Sequence, residues 1–193
     1  MAKKNGGGLP DISKYSWQKR RDYLLLIAAV AASDGSMHPD ELSLLNRWMD
    51  SFKLPAASRQ TVLATANQAP LALEELKQRL ANSDLVYSLM LDMMGMAMAD
   101  GVLMDKEINL LREVAEGLAV DPIDFNILIE FVHSAHQASM LSNPEPLYEH
   151  SIESAFKLLR KRKVRLFPHT LLCATSPAYD RELKGRWVKF RPS

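Results

Sequence analysis

Residues 24–35 read LLLIAAVAASDG, an apolar run that ends in the pair Asp34-Gly35. The run is apolar on every side of a helix, which predicts a central buried helix rather than a surface helix. Gly35 can adopt the left-handed conformation that ends a helix at little steric cost. Pro39 and Glu41 then suit the first and third positions of a following helix. The stretch therefore predicts a unit of helix, Asp-Gly turn and helix.

The same unit occurs a second time, 66 residues further along the chain. Residues 24–54 and 90–120 share 7 identities in 31 aligned positions, and these include the pair Asp100-Gly101 and Glu107. Weak identity with matching turn residues indicates duplication of a helical unit, and two copies are too few for a solenoid. We therefore predict an all-α fold, a compact bundle of about seven to eight helices with an internal pseudo-twofold duplication.

The composition agrees with a helical protein inside the cell. The chain has 193 residues, of which 47% are apolar and only 7% aromatic, and this balance favours helices over strands. Its single cysteine, Cys173, cannot form an intramolecular disulfide, so nothing indicates an oxidising compartment. The apolar runs at residues 24–32 and 89–99 are both shorter than the roughly 20 residues that a membrane span needs. We expect a cytoplasmic protein without a transmembrane segment, which could also lie peripherally at a membrane.

Three segments are expected along the chain. Residues 1–16 contain three consecutive glycines and a proline, which are typical of a flexible tail. Residues 17–140 hold the helical bundle. Residues 141–193 begin with a basic helix and continue as an irregular extension, in which residues 164–167 and 186–190 could pair as a short hairpin.

The formal net charge of +1 hides a strong asymmetry. Residues 22–156 hold 20 acidic and 7 basic residues, whereas residues 157–193 hold 11 basic and 2 acidic residues. Such a basic end usually binds something anionic, either the chain's own acidic body or another molecule, and interleaved aromatic residues suit docking. An acidic protein or an anionic membrane surface is the expected partner, because the acidic body would repel nucleic acid. The predicted partner-binding residues are Arg160, Lys161, Arg162, Lys163, Arg165, Arg186, Trp187, Lys189 and Phe190.

The two alanine-rich helices resemble the tellurite-resistance TerB-like family. The resemblance rests on residues 31–35 (AASDG) with Glu41, and on residues 97–101 (AMADG) with Glu107. In that family an alanine-rich helix ends in Asp-Gly, and a glutamate follows seven residues after the aspartate. The resemblance covers roughly residues 17–140. It implies an all-helical cytoplasmic domain that is linked to metal or chemical stress and is thought to bind metal through acidic residues.

Four acids are therefore candidate metal ligands: Asp34, Glu41, Asp100 and Glu107. They could approach one another if the two units pack as a symmetric pair, and Ca²⁺ or Mg²⁺ takes several carboxylate and carbonyl oxygens. The alternative is that they shape helix ends, because Asp-Gly ends a helix and a glutamate at the third position begins one. Neither turn has the alternating acids of an EF-hand loop, which favours the helix-end interpretation.

Other motifs give no support for catalysis. The sequence contains no Ser-His-Asp set, no Gly-rich phosphate loop and no CxxC motif, so we expect no enzymatic activity. Met90, Met94 and Met98 recur at helical spacing and could hold Cu(I), but methionine is also a common core residue, which is the interpretation we favour. His133 and His136 share a helix face, but their run supplies too few ligands for zinc.

Overall fold

The computed structural model describes residues 12–32, 37, 39–67, 73–98 and 103–140, together with residues 154, 157, 158, 161 and 162. This part of the chain contains no strand, which confirms the all-α prediction, whereas the predicted hairpin lies outside it. A short 3-10 turn, Ile12–Lys14, precedes the first long helix. Within residues 17–140, the described ranges contain seven α-helices: α1 (Trp17–Ala31), α2 (Pro39–Ser51), α3 (Ala56–Asn67), α4 (Leu73–Leu80), α5 (Val86–Ala97), α6 (Asp105–Gly117) and α7 (Pro122–Met140).

Helices α1 and α5 pack against each other in the centre of the bundle. Helix α1 also contacts α2, α3 and α4, and helix α5 also contacts α6 and α7. Both central helices are deeply buried: Leu26 in α1 and Met90 in α5 are each 0% exposed. Met94 and Met98 also belong to the hydrophobic core, so the core interpretation of the methionine series is confirmed.

The repeated unit is larger than the sequence predicted. Helix α6 begins and ends 66 residues after α2, and helix α7 begins 66 residues after α3. The contacts follow the same pattern, because α1 contacts α2 and α3 as α5 contacts α6 and α7. The duplication therefore comprises three helices in each half, α1 to α3 and α5 to α7, and α4 connects the halves.

The ends of α2 and α6 have the same backbone geometry. Each helix is followed by a left-handed residue that is not glycine, Lys53 with φ 50° and Ala119 with φ 58°. The amide N–H groups of Leu54 and Val120 then donate to carbonyl groups five residues earlier, over 3.2 and 2.9 Å. This bond is the long one of the Schellman ending, which usually uses glycine. The two halves thus share a helix ending that could not be recognised from the residues at these positions.

A buried hydrogen bond joins the two central helices. The hydroxyl group of Tyr23 in α1 donates to Oδ2 of Asp92 in α5 over 2.5 Å, and both side chains are buried. Burial and the neighbouring Asp92 carboxylate raise the pKa of Tyr23 well above its ordinary value, because both disfavour the charged phenolate. The bond therefore holds a neutral phenol against a carboxyl group inside the core.

Candidate functional site

One cleft lies where the two halves of the bundle meet. Glu41, in the first turn of α2, and Glu107, in the first turn of α6, both line it. The cleft has a volume of about 320 Å³. Two of the four predicted metal ligands are thus brought to one place, as expected for paired units. The other lining residues are Val30, Ala31, Met93, Ala97, Lys106, Leu110 and Leu111.

The Glu107 side chain makes a structural hydrogen bond at the start of α6. Its Oε2 accepts a hydrogen bond of 2.7 Å from the backbone N–H of Met104, three residues earlier. This is the return bond of a capping box and satisfies one of the free N–H groups at the start of α6. Glu107 therefore makes the contact that the helix-end interpretation predicts.

The metal interpretation has less support from the geometry. Lys106 brings a positive charge to the same cleft. Within the described ranges, no group of three or more His, Cys, Asp or Glu side chains could hold a metal ion. His133 and His136 lie in these ranges and form no such group. Asp34 and Asp100 lie outside the described residues.

A second feature, which we call the arginine notch, is formed by Tyr87, Asp121 and Asp124. Asp121 precedes α7, and its Oδ1 accepts a 2.8 Å hydrogen bond from the backbone N–H of Ile123, which caps that helix. Asp124 lies in the first turn of α7, where a carboxylate complements the helix dipole. Its side chain is buried, and its Oδ2 accepts a 2.8 Å hydrogen bond from the Tyr87 hydroxyl in α5.

Arg162 belongs to the basic segment, by which we mean residues 154–193, and it occupies the arginine notch. Its Nη2 lies 2.7 Å from Oδ2 of Asp121, and its Nε donates to Oδ1 of Asp124. The hydrogen bond to Asp124 raises the pKa of Arg162, so this side chain stays charged. Burial and the hydrogen bond to Asp124 raise the pKa of Tyr87 to about 12. The notch thus places two carboxylates and a neutral phenol around one guanidinium.

Only two of the predicted partner-binding residues belong to the described part of the chain. Lys161 is exposed, whereas Arg162 contacts the core as just described. The remaining predicted residues lie outside the described residues: Arg160, Lys163, Arg165, Arg186, Trp187, Lys189 and Phe190.

The arginine notch could not be predicted from the sequence. Its residues, Asp121, Asp124 and Tyr87, stand in no recognisable motif. Asp124 and Arg162 are 38 positions apart in the chain, so no helical or strand periodicity predicts that they meet. The one usable signal was the charge asymmetry, which allowed the basic end to bind the chain's own acidic body.

Comparison with known proteins gives one match. A family model described as "Tellurite resistance protein TerB" matches residues 26–129, which is more than half of the chain. The match runs from the middle of α1 into α7 and includes the cleft and the three residues of the arginine notch, but not Arg162. No curated protein and no solved structure matches. No helix in the described ranges combines the length and apolar character needed to cross a bilayer.

Proposed function

Because the chain belongs to the tellurite-resistance TerB family, we propose that it is a non-enzymatic interaction and scaffold protein of that family. Its acidic helical core and its basic, aromatic C-terminal segment would bind a protein partner or an anionic membrane surface. The observation that carries this proposal is the division of charge, since residues 22–156 have a net charge of −13 and residues 157–193 a net charge of +9. We place the protein in the cytoplasm, in peripheral contact with a membrane where that is the partner.

The described part of the basic segment supports this function. Residues 154, 157, 158 and 161 are helical, and all four are exposed. Leu158 is 47% exposed and lies beside the cations Lys157 and Lys161. An exposed helix face that combines lysine with a large apolar side chain is typical of helices that lie on anionic surfaces. The same face would also suit an acidic groove on a protein.

Affinity purification of the full chain at native expression tests this function. We expect a specific partner, identified by its mass, that is lost when residues 164–193 are deleted. Trp187→Ala should weaken its recovery by roughly tenfold, because large aromatic anchors carry much of the binding free energy. Tyr179→Ala, an aromatic change in the same extension but outside the predicted set, is the matched control. Equal recovery by the full and the shortened chain would contradict the proposal.

A metal-binding stress-response protein is the second candidate function. It is favoured by one observation, namely that Glu41 and Glu107 line the same cleft at equivalent positions of the two halves. With Asp34 and Asp100 they would supply the carboxylate oxygens that Ca²⁺ or Mg²⁺ prefers. The capping bond of Glu107 and the nearby Lys106 count against it.

Calorimetric titration with Ca²⁺ and with Mg²⁺ tests this second function. We expect heat of binding with the wild-type chain and binding weakened at least about tenfold in Glu41→Gln/Glu107→Gln, since each removes a charged ligand. Glutamine can still make the capping bond, so the helices should remain intact. Glu113→Gln/Glu116→Gln removes the same two charges from exposed sites on α6 and serves as the control. Absence of heat with either ion in the wild-type chain would reject the metal site.

A further inference from the structure

The contact between Arg162 and the arginine notch is specific for a guanidinium group. Two nitrogen atoms of one side chain, Nε and Nη2, reach two different carboxylates. A lysine ammonium is a single point charge and cannot present this fork. The adjacent Lys161 is exposed, so the notch selects one position of the basic segment rather than its charge in general.

The two acids of the notch are also held by contacts that do not involve Arg162. The Asp124 side chain is only 4% exposed, and the Tyr87 hydroxyl holds its second oxygen. Asp121 is fixed by its capping bond to α7. A carboxylate that is buried in this way gains from a charged hydrogen-bond donor, because few water molecules can reach it. The two acids thus form a preorganised site for one cation.

The occupied notch restricts what the basic segment can do. While Arg162 is bound to Asp121 and Asp124, the Nε and Nη2 donors of its guanidinium are not available to another anionic surface. Its side chain is 34% exposed and that of Asp121 is 44% exposed, so salt and competing anions can reach this pair. Partly exposed pairs of this kind are weak enough to open.

We propose that the arginine notch is a latch that holds the basic segment on the core and withholds Arg162 from an anionic membrane surface, so that release of Arg162 strengthens the binding of this segment to the membrane. The inference rests on the proposed function and names the regulation of the same segment. A membrane is the favoured partner because Leu158, Lys157 and Lys161 give the docked helix an exposed apolar and cationic face. The core and the membrane then compete for the same arginine.

Hydrogen exchange on the full chain tests the latch without any partner. Asp121→Asn removes the carboxylate charge but keeps the oxygen that caps α7. We expect backbone amides of residues 154–162 to exchange roughly two- to fivefold faster in this variant, as for loss of a partly exposed ion pair. Arg162→Lys should act in the same direction although it keeps the charge. Glu113→Gln removes an exposed acid from α6 and should leave exchange unchanged.

The exchange experiment has clear contrary outcomes. Exchange of residues 154–162 that is the same in wild type, Asp121→Asn and Arg162→Lys would overturn the latch. Faster exchange throughout α7 as well would also overturn it, because the variant would then have loosened the helix rather than released the segment.

Sedimentation with vesicles of equal parts phosphatidylcholine and phosphatidylserine tests the competition. We expect Asp121→Asn to bind roughly two- to fivefold more tightly than wild type, and Glu113→Gln to bind like wild type. Equal binding by Asp121→Asn and Glu113→Gln, alongside faster exchange in the former, would overturn the competition between the core and the membrane for Arg162. If no variant binds the vesicles although the exchange difference is present, the membrane is rejected as the partner while the latch stands. This outcome separates failure of the proposed function from failure of the latch.

Discussion

Leu26→Ala is expected to lower the free energy of unfolding by roughly 3–5 kcal/mol, the range for a fully buried leucine. Leu26 is 0% exposed and lies in α1, which contacts four other helices. The variant would lose the transfer free energy of the removed carbon atoms and would leave a cavity that close-packed neighbours fill only in part. Urea unfolding followed by far-ultraviolet circular dichroism measures the change.

Two matched variants make this measurement specific. Leu26→Met nearly conserves the side-chain volume and should cost less than about 1.5 kcal/mol. Gln18→Ala changes an exposed residue of the same helix and should stay within about 0.5 kcal/mol of wild type. A loss for Leu26→Ala as small as that for Gln18→Ala would contradict the central position of α1.

Tyr23→Phe should destabilise the protein by roughly 1–3 kcal/mol at neutral pH, because it removes a hydroxyl group that donates to a buried acceptor. The acceptor is Oδ2 of Asp92, which lies in the core 2.5 Å from the Tyr23 hydroxyl. The ring itself is retained, and so is its tilted contact with Phe52 at a centroid distance of 5.5 Å. The loss therefore reports the hydroxyl group rather than a cavity, and urea unfolding measures it.

The same substitution should change the response to alkaline pH. The pKa of Tyr23 in the folded protein lies well above its ordinary value of 10.0. As the pH rises past that ordinary value, the unfolded chain releases the proton first and the folded state loses stability. The stabilisation is thus complete below about pH 10 and declines above it. Tyr23→Phe should flatten this decline.

Tyr87→Phe provides the comparison for the alkaline experiment. The pKa of Tyr87 is raised only to about 12, and its side chain is only partly buried, so its removal should flatten the decline less. Urea midpoints measured from neutral to alkaline pH distinguish the two variants. An alkaline decline that is as steep in Tyr23→Phe as in wild type would refute the role assigned to this phenol.

Local chemistry made much of the fold predictable from the sequence. The apolar runs that precede Asp34 and Asp100 predicted the two central helices, because a helix that is apolar on all sides can only be buried. Pro39 marked the start of α2, and the structure begins this helix at that residue. These signals lie within a few residues of the features that they predict.

Features that depend on distant residues or on the backbone alone could not be predicted in this way. The sequence did not show that the repeat extends to a third helix in each half, because α3 and α7 differ in length, with 12 and 19 residues. Tyr23 and Asp92 are 69 residues apart, and neither stands in a motif. The arginine notch likewise depends on how α5, α7 and the basic segment meet in space. Glu41 and Glu107 were the exception, because the internal repeat itself brought them together.

The left-handed residues that follow α2 and α6 have a consequence for how this chain evolved. Lys53 and Ala119 share a backbone conformation although neither is glycine and the two have nothing in common chemically. Main-chain hydrogen bonds define this ending, so mutation could replace the side chains there without redirecting the chain. The ancestral duplication therefore persists as matched geometry where little matched sequence is left.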